Sequence, residues 1–477
     1  MAGTTEYEKE PFFIRDRAFY RSLFILIGSL AVQNLVSYSV NMIDNIMLGS
    51  YSQNALSGAA TVNQIFFMVQ QTAVPMGNAL VAIASQYWGK GECGPIRVLS
   101  RKVLKYSAVV AVLIFAVCSL FPRQLLSLFT TSPEILDEGC AYLNLVRWSF
   151  LLFFMSSILM AMLRSVEIVR ISVVVSVVSL LVNTCINYTL IFGRFGFPEM
   201  GIRGAAVGTI TARACELTII LVYAWKLDKR IRLFARGAPD ERGVDAVGLS
   251  QTYRRVCIPM VVTVLLWAVA TPVQTAIMGH LSDDAIAANS IAVTFFQYLK
   301  VVVVSVSSAG NVMIGKTIGE NHPADVRAAG RTMSVICVLF GIVLGGCLLL
   351  LRQPLLSLYS ISGSAYLLAD HMMIIMSVAM VGMSYQMPVS GFIQSAGDVH
   401  FCTVMNLVST WCIVMPLSFL AAFVWGLPAE AVVICLQSDQ IFKGLPVFLR
   451  FRKYKWIRIL TADTTADEPA SEQAGGD

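Results

Sequence analysis

Along this 477-residue chain, twelve apolar stretches alternate with mostly short polar breaks. Each stretch approaches or exceeds the roughly 20 residues that a helix needs to cross the hydrocarbon core of a bilayer. The pattern predicts helices over 18–47, 56–87, 103–121, 139–163, 170–193, 202–225, 256–279, 286–315, 331–351, 370–392, 401–425 and 431–450. Residues 171–192 and 256–279 hold no charged side chain, so these runs are apolar enough to span a bilayer. The longest polar break, Lys226 to Gln251, mixes Lys229, Arg230, Arg232, Arg236 and Arg242 with Asp228, Asp240, Glu241 and Asp245. It reads as a surface linker whose basic face can lie on anionic headgroups.

Offset by 230 residues, the chain aligns with itself without a gap. Leu125-Leu126-Ser127-Leu128 falls on Leu355-Leu356-Ser357-Leu358, Gly196-Phe197-Pro198 on Gly426-Leu427-Pro428, and Gly89 and Arg97 on Gly319 and Arg327. An even number of spans returns each half to its starting side, so both halves share one orientation about an axis along the membrane normal. That arrangement places a substrate path between two lobes of a transporter. The expected fold class is therefore all-α integral membrane, with twelve transmembrane helices in two six-helix lobes related by a parallel internal repeat. The expected organisation is an N-terminal segment (1–17), a first lobe (18–225), a linker (226–251), a second lobe (252–457) and a disordered tail (458–477). That tail is small, acidic and poor in apolar residues.

Composition agrees with membrane residence: 56% hydrophobic and 13% charged residues, with a mean hydropathy of +0.70, exclude a soluble globule. About 27 of the 35 Lys and Arg fall in the two terminal segments and the loops after even-numbered spans. The opposite loops hold Arg123, Arg194, Arg203 and Arg352. This bias predicts a multi-pass protein of the cell membrane with both termini in the cytoplasm. It also accounts for the +6 net charge without a nucleic-acid partner. The polar start of the chain is unlike a cleaved leader, so the first helix is expected to be retained. No GxxxxGK[ST] motif is present to cradle a nucleotide, and neither CxxC nor HExxH spacing occurs, so nucleotide-driven, disulfide and zinc readings find no support. No cofactor is implied, and a monomer is expected.

Ionisable groups at bilayer depth are expensive and usually face a cavity or a partner. Asp44, near the end of span 1, has the neutral Gln274 as its repeat equivalent. It can couple a proton or sodium ion to a conformational change, or it can cap span 1 at the headgroups. Arg213 and Glu216, three apart, and Asp439 and Lys443, four apart, each share a helix face and read as structural ion pairs. Lys300 has Gln70 as its equivalent. Facing a cavity it would repel cationic cargo and favour anionic cargo; it can equally pair with a carboxylate or snorkel. Arg147 reads as buried against carbonyls or a headgroup. Asn183 and Asn187, one turn apart in span 5, can help hold a cation with Asp44 or hydrogen-bond a neighbouring helix.

The motifs Ile43-Asp44-Asn45-Ile46-Met47-Leu48-Gly49 and Ser85-Gln86-Tyr87-Trp88-Gly89-Lys90-Gly91 resemble those of the multidrug and toxic compound extrusion (MATE) family. So do Leu163-Arg164-Ser165, Gly201-Ile202-Arg203-Gly204-Ala205-Ala206, Ile277-Met278-Gly279-His280-Leu281 and Gln394-Ser395-Ala396-Gly397-Asp398. The resemblance spans about residues 18 to 457 and implies a two-lobed antiporter that exports organic compounds in exchange for protons or sodium ions. It implies a first-lobe cation site at Asp44, Asn183 and Thr209, with Asn187 where some relatives carry an acid; a sodium ion would sit on Asp44. Substrate is expected in the cleft between spans 1, 2, 7 and 8, near Gln33, Met68, Gln70, Trp267, Gln274 and Lys300. Two departures stand out: an acid of span 7 is replaced near Trp267, and Ser29 stands at the repeat position of Pro259. A flippase for a lipid-linked or anionic metabolite, motivated by Lys300 and Arg147, and an uncoupled channel are the competing readings.

Overall fold

The computed structural model describes residues 12–461 except 229, 235–237, 282, 321–322, 358 and 360–361; among these the chain is helix and connecting turn. The first eleven residues, Lys229 and Arg236 of the linker, and the tail from 462 onward lie outside the described residues. Six long helices build the first half: α1 (Arg17–Tyr51), α2 (Gln53–Gly89), α3 (Cys93–Leu120), α4 (Pro133–Ser165), α5 (Arg170–Ile191) and α6 (Ile202–Val222). Six more build the second: α7 (Ala246–Gly279), α8 (Asp283–Gly319), α9 (Pro323–Leu356), α10 (Gly363–Ser395), α11 (Val399–Val424) and α12 (Ala429–Arg452). All twelve are long and apolar enough to cross a bilayer.

Most helices outrun the spans predicted from hydropathy. α3 begins at Cys93, ten residues before the predicted start at 103. Its first turns are polar on one face yet stay helical, because the linker packs against them. Arg97, only 3% exposed, donates to the carbonyl of Ile231 at 2.8 Å and pairs with Asp240 at 3.1 Å and Glu241 at 2.9 Å. Arg101 also pairs with Glu241. The acidic half of the linker thus makes its contact with α3, while Ile231 and Leu233 are buried beneath it. α11 contains two π-helical stretches, Val408–Val414 and Leu420–Val424, flanking Pro416. A proline lacks the N–H that would close an i→i−4 bond, and a wider turn accommodates the defect.

Each lobe has its own core. Phe150, Phe154 and Ile158 of α4 pack with Leu80 and Ile83 of α2 in the first. Met372, Met376 and Met380 of α10 pack with Ala288 and Ala292 of α8 in the second. A third cluster crosses between them, joining Leu23 and Leu26 of α1 and Val81 of α2 to Ile314 of α8 and Phe392 of α10.

The repeat is visible in that seam. A Cβ on Gly89 would strike the carbonyl of Lys316, and a Cβ on Gly319 would strike the carbonyl of Gln86. Gly89 and Gly319, like Gln86 and Lys316, are 230 residues apart. α2 and α8 therefore cross about a local twofold axis, and glycine lets the backbones touch. Around the crossing, Lys316 pairs with Glu167 at 2.6 Å. Gln86 accepts from the Leu460 amide at 2.8 Å and donates to the Ser395 carbonyl at 3.3 Å. Trp456, fully buried, stacks on Phe451 at 4.8 Å and anchors this last stretch. The lobes are thus sealed together on the side that carries the linker and the ends of the described chain.

Candidate functional site

Where α1, α5 and α6 meet, polar side chains gather inside the first lobe. Asp44 stands half-buried on α1. Asn183 and Asn187 project from α5 one turn apart and are 1% and 0% exposed. Asn187 Nδ2 donates to Asp44 Oδ1 at 2.6 Å and to Asn183 Oδ1 at 3.3 Å. Gly208 on α6 makes room for this amide, since a Cβ there would overlap Asn187 Oδ1. The neighbouring Thr209 donates to the Ala205 carbonyl at 3.0 Å. From α4, the buried Tyr142 comes close to the same region. Arg213, one turn beyond Thr209, also acts on Asp44 through space. Its guanidinium is held by Glu216 at 2.7 Å and lies over the rings of Phe153 and Phe66 at 5.0 and 5.9 Å.

Hydrogen bonds therefore join Asp44, Asn187 and Asn183, and Thr209 is next in sequence to the glycine that touches Asn187. Asp44 does not end its helix, because α1 continues to Tyr51, nearly two turns further. Tyr142 and Gly208 were missed by the sequence reading. A tyrosine in an otherwise apolar span is a usable signal, since its hydroxyl needs a partner away from water; the glycine offered none. Asn187 Oδ1 and Asn183 Nδ2 have no hydrogen-bond partner among the described residues. One carboxylate with neutral oxygens beside it is a donor set for a single hard monovalent cation or a proton.

The second lobe repeats the geometry with other charges. Thr209 corresponds to Asp439, Arg213 to Lys443, and Asp44 to the half-buried Gln274. Lys443, 5% exposed, bonds Asp439 at 2.6 Å and the Thr410 hydroxyl at 3.2 Å, and Ser409 donates to Asp439 at 2.8 Å. Beside this pair is a cavity of about 160 Å³ lined by residues of α7, α10, α11 and α12, among them Trp267, Asn406, Thr410, Trp411 and Lys443. Thr263, Val264 and Gln394 are shared with a second cavity of about 100 Å³, which reaches Gln71 and Asn78 of α2 and so lies between the lobes. Of the residues predicted for the substrate cleft, Trp267 lines the larger cavity and Lys300 lies over its ring at 5.1 Å. Gln33, Met68 and Gln70 are half-buried on α1 and α2, outside the lining of both cavities. Arg147 bonds Asn144 at 3.1 Å and covers Phe115, away from the cavities.

Away from the sealed end, the facing surfaces of the lobes turn polar. Gln33, Ser37, Asn41 and Asn45 recur every four residues on α1, the last three exposed, and Ser290, Thr294 and Tyr298 do so on α8, all exposed. Tyr38 of α1 meets Tyr298 of α8 at 6.4 Å, and Asn34 donates to Ser305 at 3.0 Å lower in the same interface. Polar stripes on two facing membrane helices belong to a water-filled cleft rather than to lipid. The cleft is closed at one end by the α2–α8 crossing and lined at the other by these stripes.

Comparison with known proteins accords with this architecture. The sequence profile of the MatE family matches residues 29–189 and again 259–420, two matches that start 230 residues apart. A protein described as a probable multidrug resistance protein NorM, from Rhizobium meliloti, is 24% identical over 422 residues, covering 86% of this chain and 87% of its own. The multidrug resistance protein PmpM of Pseudomonas aeruginosa is 23% identical over 414 residues, covering 85% and 84%. Among solved structures, the Vibrio cholerae MATE transporter VcmN in the bent form superposes with a TM-score of 0.81 at 17% identity, covering 91% of this chain and 97% of that one. With the profile recurring in both halves of a twelve-helix fold, the chain belongs to the MatE family and is a multi-pass membrane transporter rather than an enzyme.

Proposed function

We propose that this protein is a secondary antiporter that exports organic, amphiphilic compounds in exchange for protons or sodium ions. The observation that carries the reading is the Asp44 carboxylate, bonded to Asn187 between buried amides on a helix that also borders the inter-lobe cleft. Loading or emptying this site changes the net charge at the junction of α1, α5 and α6, and the helix bearing it also forms a wall of the cleft. A cation and a drug exchange through such a protein only if each prefers one of two conformations. With a single carboxylate in the cluster, a proton neutralises the site completely, which favours protons over sodium. The names of the NorM and PmpM relatives support multidrug cargo.

The excess of Lys and Arg on the sealed side supports cytoplasmic termini in the cell membrane. In that orientation the α2–α8 crossing lies on the cytoplasmic side. Lys300 over Trp267 favours a second feature of the cargo, an acidic group, taken up below.

The test is efflux in proteoliposomes under an imposed proton or sodium gradient. Asp44→Asn should abolish gradient-driven export while leaving thermal unfolding within a few degrees of the parent. Export by Asp44→Asn at more than a tenth of the parent rate would remove Asp44 from the mechanism.

A further inference from the structure

The cavity in the second lobe is built for an acidic aromatic group. Lys443 lines it, and Lys300 stands over the ring of Trp267, another of its lining residues, at 5.1 Å. Among the described residues, one carboxylate, Asp439, pairs with Lys443, while no carboxylate pairs with Lys300, whose contact is the face of Trp267. Two ammonium groups at one cavity with a single carboxylate between them favour an anionic ligand over a cationic one. The cavity's size and walls narrow the choice. About 160 Å³, with the indoles of Trp267 and Trp411 among its lining, is close to the volume that takes up one benzene ring in a protein core. Thr263, Val264 and Gln394 border both this cavity and the smaller one between the lobes, so the two lie side by side.

We propose that this cavity is a subsite for the carboxylate-bearing aromatic ring of a zwitterionic or acidic amphiphile. The carboxylate meets Lys300 and Lys443 and the ring packs against Trp267. Asp44 in the first lobe remains the ion site. The inference rests on the transport reading for its biological use but not for its test, because binding needs no gradient.

Rhodamine 110 and rhodamine 123 make a matched pair of probes: the first carries a free benzoate ring, and the second is its methyl ester. Fluorescence-anisotropy titrations on the purified protein in nanodiscs should give at least fivefold tighter binding of rhodamine 110. Lys300→Met should weaken rhodamine 110 about tenfold and leave rhodamine 123 within twofold. Lys300→Arg, which restores the charge, should restore the preference. The proposal is overturned if the parent binds both dyes alike, if it fails to bind rhodamine 110, or if Lys300→Met weakens both dyes equally. Gradient-driven export that still depends on Asp44 would then survive as a separate result, so the two readings fail separately.

Discussion

In the first lobe a carboxylate stands on α1 with a neutral amide against it, and the nearby cation, Arg213, is taken by Glu216. In the second lobe the corresponding place on α7 holds Gln274, and the carboxylate has moved to α12, where Lys443 occupies it. The equivalent regions thus hold an acid bonded to a neutral amide in one half and an acid paired with a lysine in the other. Repetition fixed the scaffold, and a few substitutions at equivalent positions divided the labour. Under the proposed antiport one ion-responsive lobe is enough if the close α2–α8 crossing carries its movement to the other half.

The largest break in this contrast should come from Lys443→Met. It strands Asp439 in a buried setting, and removal of one partner from such a pair destabilises by about 3 kcal/mol or more. Detergent-solubilised protein should lose several degrees in Tm, and the double variant Lys443→Met with Asp439→Leu should recover most of the loss. Arg213→Met should cost less, since Arg213 is more exposed and also rests on aromatic rings. Next comes Asn187→Ala, which removes a hydrogen bond to a charged group worth about 2 kcal/mol. Gradient-driven efflux should fall tenfold or more, while substrate binding without a gradient stays within twofold.

Gly319→Ala probes the joint between the lobes. The added methyl group meets the Gln86 carbonyl, and overpacking of this kind costs about 1 to 3 kcal/mol. Hydrogen–deuterium exchange should accelerate severalfold across 85–89 and 315–319 together, because the strain is shared. The smallest effect belongs to the linker. The hydrogen bond from Arg97 holds the Asp240 carboxyl below its ordinary range. A carboxylate whose folded value is depressed adds stability above its unfolded pKa, near 4, and loses it as pH falls through the lower folded value. Asp240 is nearly half exposed, so the contribution is under about 1 kcal/mol. Limited proteolysis of the 238–245 segment should quicken only below about pH 4, and Arg97→Ala should bring that fast cleavage up to neutral pH.

Hydropathy made the helices and the repeat legible, because a bilayer demands long apolar runs whatever their packing. It misplaced boundaries such as that of α3, since hydropathy senses lipid and not the helix that continues past it. Asp44, Asn183 and Asn187 could be read because polar residues at that depth are rare. Their joining by hydrogen bonds could not, since nothing in one sequence sets the distance between α1 and α5. The link between Thr209 and Asp439 lay in the 230-residue register all along. It gained meaning only when Ser409, Thr410 and the neighbouring cavity gave Lys443 its surroundings. The π-helical turns of α11 left no trace in hydropathy, which is blind to whether a helix closes its bonds at four residues or five.

The α2–α8 crossing also constrains how such a chain can evolve. Duplicated segments ordinarily diverge because one copy keeps the original duty while its sister drifts. Here the neighbour that each glycine touches is the counterpart of its own neighbour in the other copy. The ban on a side chain therefore falls on Gly89 and Gly319 alike, and these two positions stay matched while the residues beside them have drifted apart, Gln86 against Lys316 and Trp88 against Ile318.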